Sequence, residues 1–273
     1  MEAHSRWAAG LAFAVALCLT FALAAPASAQ SPYLDRGNDR TLLLEVLKPS
    51  FEGDDQPDFL TTTWLLGARL GVAPQTHIVL ELPWAHYEEG DFSASTIGNP
   101  YVGIEYGATG TGPFGEFGVR PPLAASEDDD VVASLSGIFS DVDRWEDFWP
   151  QMIPVTAAFN YRYEAPTGFR ARGRLGGSLW IPEEGGDAEF FTLFGGWVGY
   201  ESPMLRVAGG WSGRVLLTEE GVFGDQTLHH QLSAAIDIGT GRVRPGAHLR
   251  LPLNSDLTDA VNLVFGISLG VRL

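Results

Sequence analysis

Residues 169–179 read FRARGRLGGSL, with Arg170, Arg172 and Arg174 at every second position and Phe169, Ala171, Gly173 and Leu175 among them. On a helix these guanidinium groups scatter around the cylinder. On a strand, where side chains alternate faces, they stand in one row about 7 Å apart. The stretch therefore reads as a strand with one cationic face and one apolar or small face, and which face meets water decides the fold.

The same period recurs along the chain. About twelve segments alternate, near 41–48, 60–72, 76–86, 98–108, 113–121, 153–163, 168–180, 189–200, 204–216, 227–238, 241–252 and 261–273. In LRVAGGWSGRV, Leu205, Val207, Trp211 and Val215 share one face, and Arg206, Ser212 and Arg214 the other. FFTLFGGWVGY, residues 190–200, is apolar on both faces, so its orientation stays open. Short links (VAPQT, TGTG, EAPTG, ESPM, GTGR) alternate with longer, acidic ones, among them YEEGDFSASTIG and the 122–152 stretch. An even strand number with short turns at one end and long loops at the other describes an antiparallel up-and-down β-barrel. Pro83 and Pro245 fall inside predicted strands, and each requires a bulge or a strand end.

Of the sixteen arginines, twelve lie on the polar faces of these strands: Arg69, Arg120, Arg162, Arg170, Arg172, Arg174, Arg206, Arg214, Arg242, Arg244, Arg250 and Arg272. The opposite faces are almost free of charge, Lys48 being the exception. An arginine facing lipid costs roughly 2–4 kcal/mol at the midplane and about 0–1 kcal/mol at the interfaces. Half of these side chains at depth would exceed a folding stability of about 5–15 kcal/mol. The arginine faces must meet water. Trp64, Trp84 and Trp180 near the long-loop ends, with Tyr106, Tyr161, Tyr163, Trp197 and Tyr200 toward the turns, read as two interfacial girdles. The expected fold class is thus all-β, a transmembrane barrel of about twelve strands with the arginines lining its lumen.

Acids predicted inward are Glu45, Glu81, Glu105 and Glu116, with Asp237 later, leaving a surplus of about seven positive charges. Glu45 is expected to approach Arg272, and Glu81 the Arg170 row. This interior supports an outer-membrane channel or transporter for small solutes, favouring anions. It also supports a structural barrel filled by salt bridges, because buried charges are usually paired. A third reading is a surface-binding protein that uses the acidic loops. Within the longest loop, residues 126–150, apolar side chains at Val131, Leu135, Ile138, Val142, Trp145 and Trp149 alternate gaps of four and three, the spacing of an amphipathic helix. Its acidic side is expected to meet lumen arginines, as a lid would.

Arg6, the apolar run that follows and the small residues Ala27–Ala29 mark 1–29 as a signal peptide, leaving 30–273 as a single barrel domain. Cys18 lies inside that run, so the exported chain would carry no thiol. The last strand reaches Leu273, an arrangement that resembles the terminal signal read by the barrel assembly machinery of Gram-negative outer membranes, though that signal usually ends in an aromatic residue. Expected partners are therefore that machinery, outer-membrane lipid and an unidentified solute. A net charge of −17 argues against nucleic acid.

The stretch LGVAPQTHIVLELPWAHYEEGDFSASTIGNPYVGIEYG, followed by GEFGVRPP, resembles the outer-membrane transporter family named for the meta-pathway of phenol degradation. The likeness spans roughly residues 66–122 and lies in a strand ending ELPW, a loop, and GNPYVGIEY. It implies a porin-like uptake role for small aromatic or other hydrophobic compounds, and supplies no binding residues.

No enzyme activity is expected. His230 faces outward beside Leu228 and Leu232 with no serine motif to match it, and a lone histidine does not make a nucleophile–base pair. His77, His229 and His248 are expected in the lumen, too far apart along the chain for metal-ligand spacing. Neither a metal nor a cofactor is expected.

Overall fold

The computed structural model describes residues 41–51, 60–125, 128–218, 227–239 and 242–273. The proposed signal peptide lies outside the described residues, as do the acidic loop segments 52–59 and 219–226. The strands are β1 (Thr41–Phe51), β2 (Thr62–Ala73), β3 (Thr76–Glu89), β4 (Phe92–Ile97), β5 (Tyr101–Gly107), β6 (Gly112–Val119), β7 (Met152–Glu164), β8 (Phe169–Pro182), β9 (Glu189–Glu201), β10 (Leu205–Leu216), β11 (Leu228–Ile238), β12 (Val243–Pro252) and β13 (Val261–Arg272).

Each strand pairs antiparallel with its neighbours, and β13 returns to pair with β1 along almost its whole length, so the sheet closes on itself. The lower part of β3, Thr76–Glu81, pairs with β5, and its upper part, Trp84–Glu89, pairs with β4. Strands β4 and β5 are one stave interrupted at Gly98–Pro100, which makes twelve staves from thirteen strands. The link expected as a loop at 87–97 is therefore largely an extension of the β3–β4 hairpin.

Both prolines sit where a missing N–H is tolerated. Pro83 lies between the two pairing segments of β3, and the Gly98 N–H donates to its carbonyl at 3.0 Å. Pro245 lies beyond Gly246, the last β12 residue paired with β11, near the short-turn rim.

Alternation sorts the two faces. Along β8, Arg172, Arg174, Ser178 and Trp180 are buried, while Phe169, Gly173 and Leu175 are exposed. In β9 the ambiguity resolves with Phe191, Leu193 and Trp197 inward and Val198 and Tyr200 outward. Two aromatics assigned to the outer girdles belong inside: Trp180 is in phase with Arg172 and Arg174, and Trp197 with Phe191 and Leu193, and both are buried. The outer wall presents Leu66, Leu82, Ile104, Phe159, Leu175, Val198, Leu249 and Ile267, all well exposed. Such a band is what lipid contact stabilises.

Leu175, near the middle of β8 and 62% exposed, provides a test of orientation. Leu175→Arg should cost about 2–4 kcal/mol in lipid vesicles, and Leu273→Arg, at the rim, about 0–1 kcal/mol. Urea unfolding followed by tryptophan fluorescence measures both, and equal costs would contradict the assignment of this face to lipid.

Candidate functional site

The expected single helix over 126–150 is two elements with a break. Helix α1 (Asp128–Ile138) ends near Phe139, and after Ser140 and Asp141 a short 3-10 helix, Val142–Asp147, turns into the barrel. The Asp141 side chain caps it by accepting from the Asp143 N–H at 3.1 Å. The break arises because the apolar spacing runs on through Val142, Trp145 and Trp149 while the polar residues between them find better partners on the wall. Gly137 permits the return: a Cβ there would run into the Phe148 ring. Ile138, Val142, Trp145 and Phe148 pack with the wall residues Ala85, Trp180, Phe191, Leu193 and Leu216 in one buried cluster.

Around that cluster the inserted segment is held by charge. Arg144 reaches Glu45 at 2.7 Å and Glu81 at 3.4 Å. Asp147 receives Arg120 at 2.7 Å, and Glu146 receives Arg214 at 2.7 Å. Asp141 faces Arg250 at 3.0 Å and accepts from Gln231 at 2.7 Å, and Ser212 donates to Asp143 at 2.6 Å. The Arg214 guanidinium also lies over the rings of Trp145, Phe191 and Trp180 at 5.4, 5.7 and 5.9 Å. Burial opposes the charge of Glu146, but Arg214 and Arg120 outweigh it and hold the carboxyl below its ordinary range. Burial likewise opposes the charge of Arg144, and Glu45 and Glu81 outweigh it, raising the guanidinium well above its ordinary value.

Asn99, in the interruption between β4 and β5, joins the segment to the wall. Its side-chain amide donates to the carbonyls of Glu146 at 2.9 Å and Trp149 at 2.7 Å, while its Oδ1 accepts from the N–H groups of Leu123 and Ala124 at 2.7 and 2.8 Å. Its own N–H donates to the Asp147 carbonyl at 2.5 Å, and Arg120 donates to its carbonyl at 2.9 Å. Next to it, a Cβ on Gly98 would collide with the Asp147 carbonyl and the Phe148 ring. Three chain segments thus meet at one residue.

Among the described residues the wall buries Arg69, Arg120, Arg162, Arg172, Arg174, Arg206, Arg214, Arg244 and Arg250 against Glu45, Glu81, Glu105, Glu116 and Asp237. Arg69 pairs with Glu105 at 2.5 Å, Arg172 and Arg174 with Glu116 at 3.0 and 3.1 Å, and Arg206 with Asp237 at 3.8 Å. Arg170 lies at the short-turn rim, a third exposed, bridging Glu164 at 3.3 Å and Glu201 at 3.1 Å. Arg244 also reaches Glu201, at 2.9 Å. A cavity of about 50 Å³ opens there between Arg162, Arg172, Arg206 and Trp197.

Several expectations change. Arg242 and Arg272 are exposed at the rim rather than inside, because β12 and β13 end there; Arg272 N–H donates to the Arg242 carbonyl at 2.8 Å. Glu45 pairs in register with Ser268, four residues from Arg272, and meets Arg144 and Arg250 instead. Glu81 meets Arg120 and Arg144, not the Arg170 row. The expected surplus of about seven shrinks because the inserted segment brings three buried acids, Asp141, Glu146 and Asp147, with one arginine. Those acids, with Arg144, Asn99 and the rim acids Glu164 and Glu201, were not among the residues expected to line the interior. His77, His229 and His248 are buried inside, and His230 on the outer face accepts from the Trp211 indole at 3.1 Å. Among the described residues no three His, Cys, Asp or Glu side chains are grouped to hold a metal ion.

No protein-family model and no curated protein matches this sequence. The fold is similar to solved barrels. An outer membrane channel from Pseudomonas putida F1 matches with 10% identity over 86% of this chain and 96% of its own, TM-score 0.58. The translocator domain of the autotransporter NalP from Neisseria meningitidis matches with 13% identity over 87% of this chain and 90% of its own, TM-score 0.51. The chain is thus a closed antiparallel barrel of the outer-membrane type; at these identities the likeness concerns fold alone. The expectation that the chain has no enzyme activity does not stand. The fold leaves enzyme status unestablished.

The Glu146–Arg214 pair is a direct test of the ionic seal. Arg214→Met leaves Glu146 buried without its partner and should cost about 3–5 kcal/mol, while the double variant Arg214→Met, Glu146→Gln should recover most of that. Urea unfolding and proteolytic cleavage within 139–149 report both.

Proposed function

We propose that this protein is an outer-membrane channel for small solutes, held shut by its own inserted segment. One observation carries the reading: the segment is sealed to the wall by buried ion pairs, with Arg144 between Glu45 and Glu81, Arg120 on Asp147 and Arg214 on Glu146. Each of these groups is well solvated by water when the segment withdraws, so the wall it leaves behind is wettable. That wall is cationic, nine buried arginines facing five acids among the described residues, which favours anions in the open lumen. The resemblance of residues 66–122 to the phenol meta-pathway family and the likeness of fold to the Pseudomonas putida F1 channel support the same reading. Small aromatic anions suit such a lumen, since guanidinium groups both pair with carboxylates and stack on rings.

The second reading, a structural barrel with a permanently filled interior, is favoured by the apolar cluster around Trp145 and Phe148. Replacing residues 139–149 with a short glycine–serine link separates the two. Conductance and liposome swelling should rise at least tenfold over the parent, with anion preference that falls in Arg172→Ser and Arg174→Ser variants. A shortened protein as tight as the parent would establish the filled barrel.

A further inference from the structure

The extended β3–β4 hairpin carries, on its outer face, three side chains that neither the barrel wall nor the inserted segment uses. His86 and Ser95 oppose each other across the strands, and His86 Nδ1 lies 2.8 Å from Ser95 Oγ, within one hydrogen bond. On the far side of the imidazole, Nε2 is 3.6 Å from Glu88 Oε2. Trp84 stacks on the ring with centroids 5.9 Å apart and planes 17° from parallel, which limits its rotation. The backbone at Glu88 is fixed by Thr61, whose hydroxyl donates to the Glu88 carbonyl at 3.0 Å and accepts from its N–H at 2.9 Å. A serine hydroxyl bonded to an imidazole whose other nitrogen faces a carboxylate is the arrangement that activates a serine nucleophile, and such contacts tighten when substrate binds.

Strand register places this group at a defined depth. On the outer face, Leu66 pairs with Leu82, and the next outward row holds Trp64, Trp84 and Ile97. One row farther, about 7 Å along the strands, stand Thr62, His86 and Ser95. Leu66, Leu82 and Ile97 are 51%, 46% and 53% exposed on the apolar wall. Paired tryptophans mark the level where hydrocarbon gives way to head groups. The Ser95 hydroxyl thus stands at the height of the ester linkages of a lipid lying against the wall.

We propose that Ser95, His86 and Glu88 form a nucleophilic site that cleaves carboxylic esters of membrane lipids in the outer leaflet. Ser95 Oγ attacks the ester carbonyl carbon while His86 Nδ1 takes its proton. The tetrahedral adduct collapses, the bond from carbonyl carbon to the alcohol oxygen breaks, and His86 returns that proton to the departing alcohol. A water then attacks the acyl-serine with His86 again accepting the proton, the acyl–serine bond breaks, the proton returns to Ser95, and a fatty acid leaves. Glu88 stabilises the imidazolium in both steps. The bilayer confines the substrate, with its acyl chain alongside Ile97 and Leu82. The inference is independent of whether the lumen opens.

The full-length protein in phosphatidylcholine vesicles, treated with a fluorophosphonate probe, is the test. Peptide mass analysis should find the adduct on Ser95, and fatty acid should be released from the same vesicles; Ser95→Ala should lose both. His86→Asn should slow both by about a hundredfold or more, the scale of general-base assistance, and Glu88→Gln by less. All three side chains are at least partly exposed, so the variants should fold, as heat-modifiable gel mobility verifies. Labelling at the same rate in His86→Asn, or none above Ser95→Ala in the parent, would overturn the proposal.

Discussion

A guanidinium group that faces hydrocarbon is ruinous, and one buried in protein without a carboxylate is little better. This double constraint organises the molecule. The arginine faces of the strands must turn inward, which closes the sheet; once inside, they need more carboxylates than the strands supply. The β6–β7 connection meets that need by sending Asp141, Glu146 and Asp147 into the barrel onto Arg250, Arg214 and Arg120. Arg144 travels with them and lies between Glu45 and Glu81.

Charge alone does not place a segment, since ion pairs tolerate several geometries. Placement comes from the interruption of the β4–β5 stave. With the strand broken at Gly98–Pro100, the backbone and amide of Asn99 are free of the ladder and turn to the segment's carbonyls instead. The absence of a side chain at Gly98 lets Asp147 and Phe148 approach. A local loss of sheet pairing is thus converted into directional hydrogen bonds, and the Trp145–Phe148 cluster fills the space those bonds define.

The barrel was legible in the sequence because its rule is local: a residue's face follows from its parity, as in the row Arg170, Arg172, Arg174. The same rule places Trp180, six positions from Arg174, inside; phase along the strand is a stronger signal than nearness to its end. What stayed hidden depends on register and on contacts distant in sequence. Arg144 sits in a stretch with helical spacing, and nothing local says that the helix breaks and enters the lumen. His86 and Ser95 are nine residues apart, and they meet only because the hairpin continues past the Trp64–Trp84 row where the composition suggested a loop.

The character of the seal separates this interior from an ordinary core. Replacing buried ion pairs with packed apolar side chains is often neutral or stabilising, so stability alone does not explain an ionic lining. An apolar lining would also dewet if the segment left, and a dewetted constriction blocks ions and water. In the channel proposed above, a lining of arginine and glutamate would keep both states accessible: paired and dry with the segment in, hydrated with it out. The apolar cluster lies in the half of the barrel toward the long loops, where Trp180, Phe191 and Leu216 line the wall, while Arg69–Glu105 and Arg172–Glu116 line the half toward the turns. The segment's apolar packing is thus concentrated where it enters, and the ion pairs beyond it belong to the wall itself.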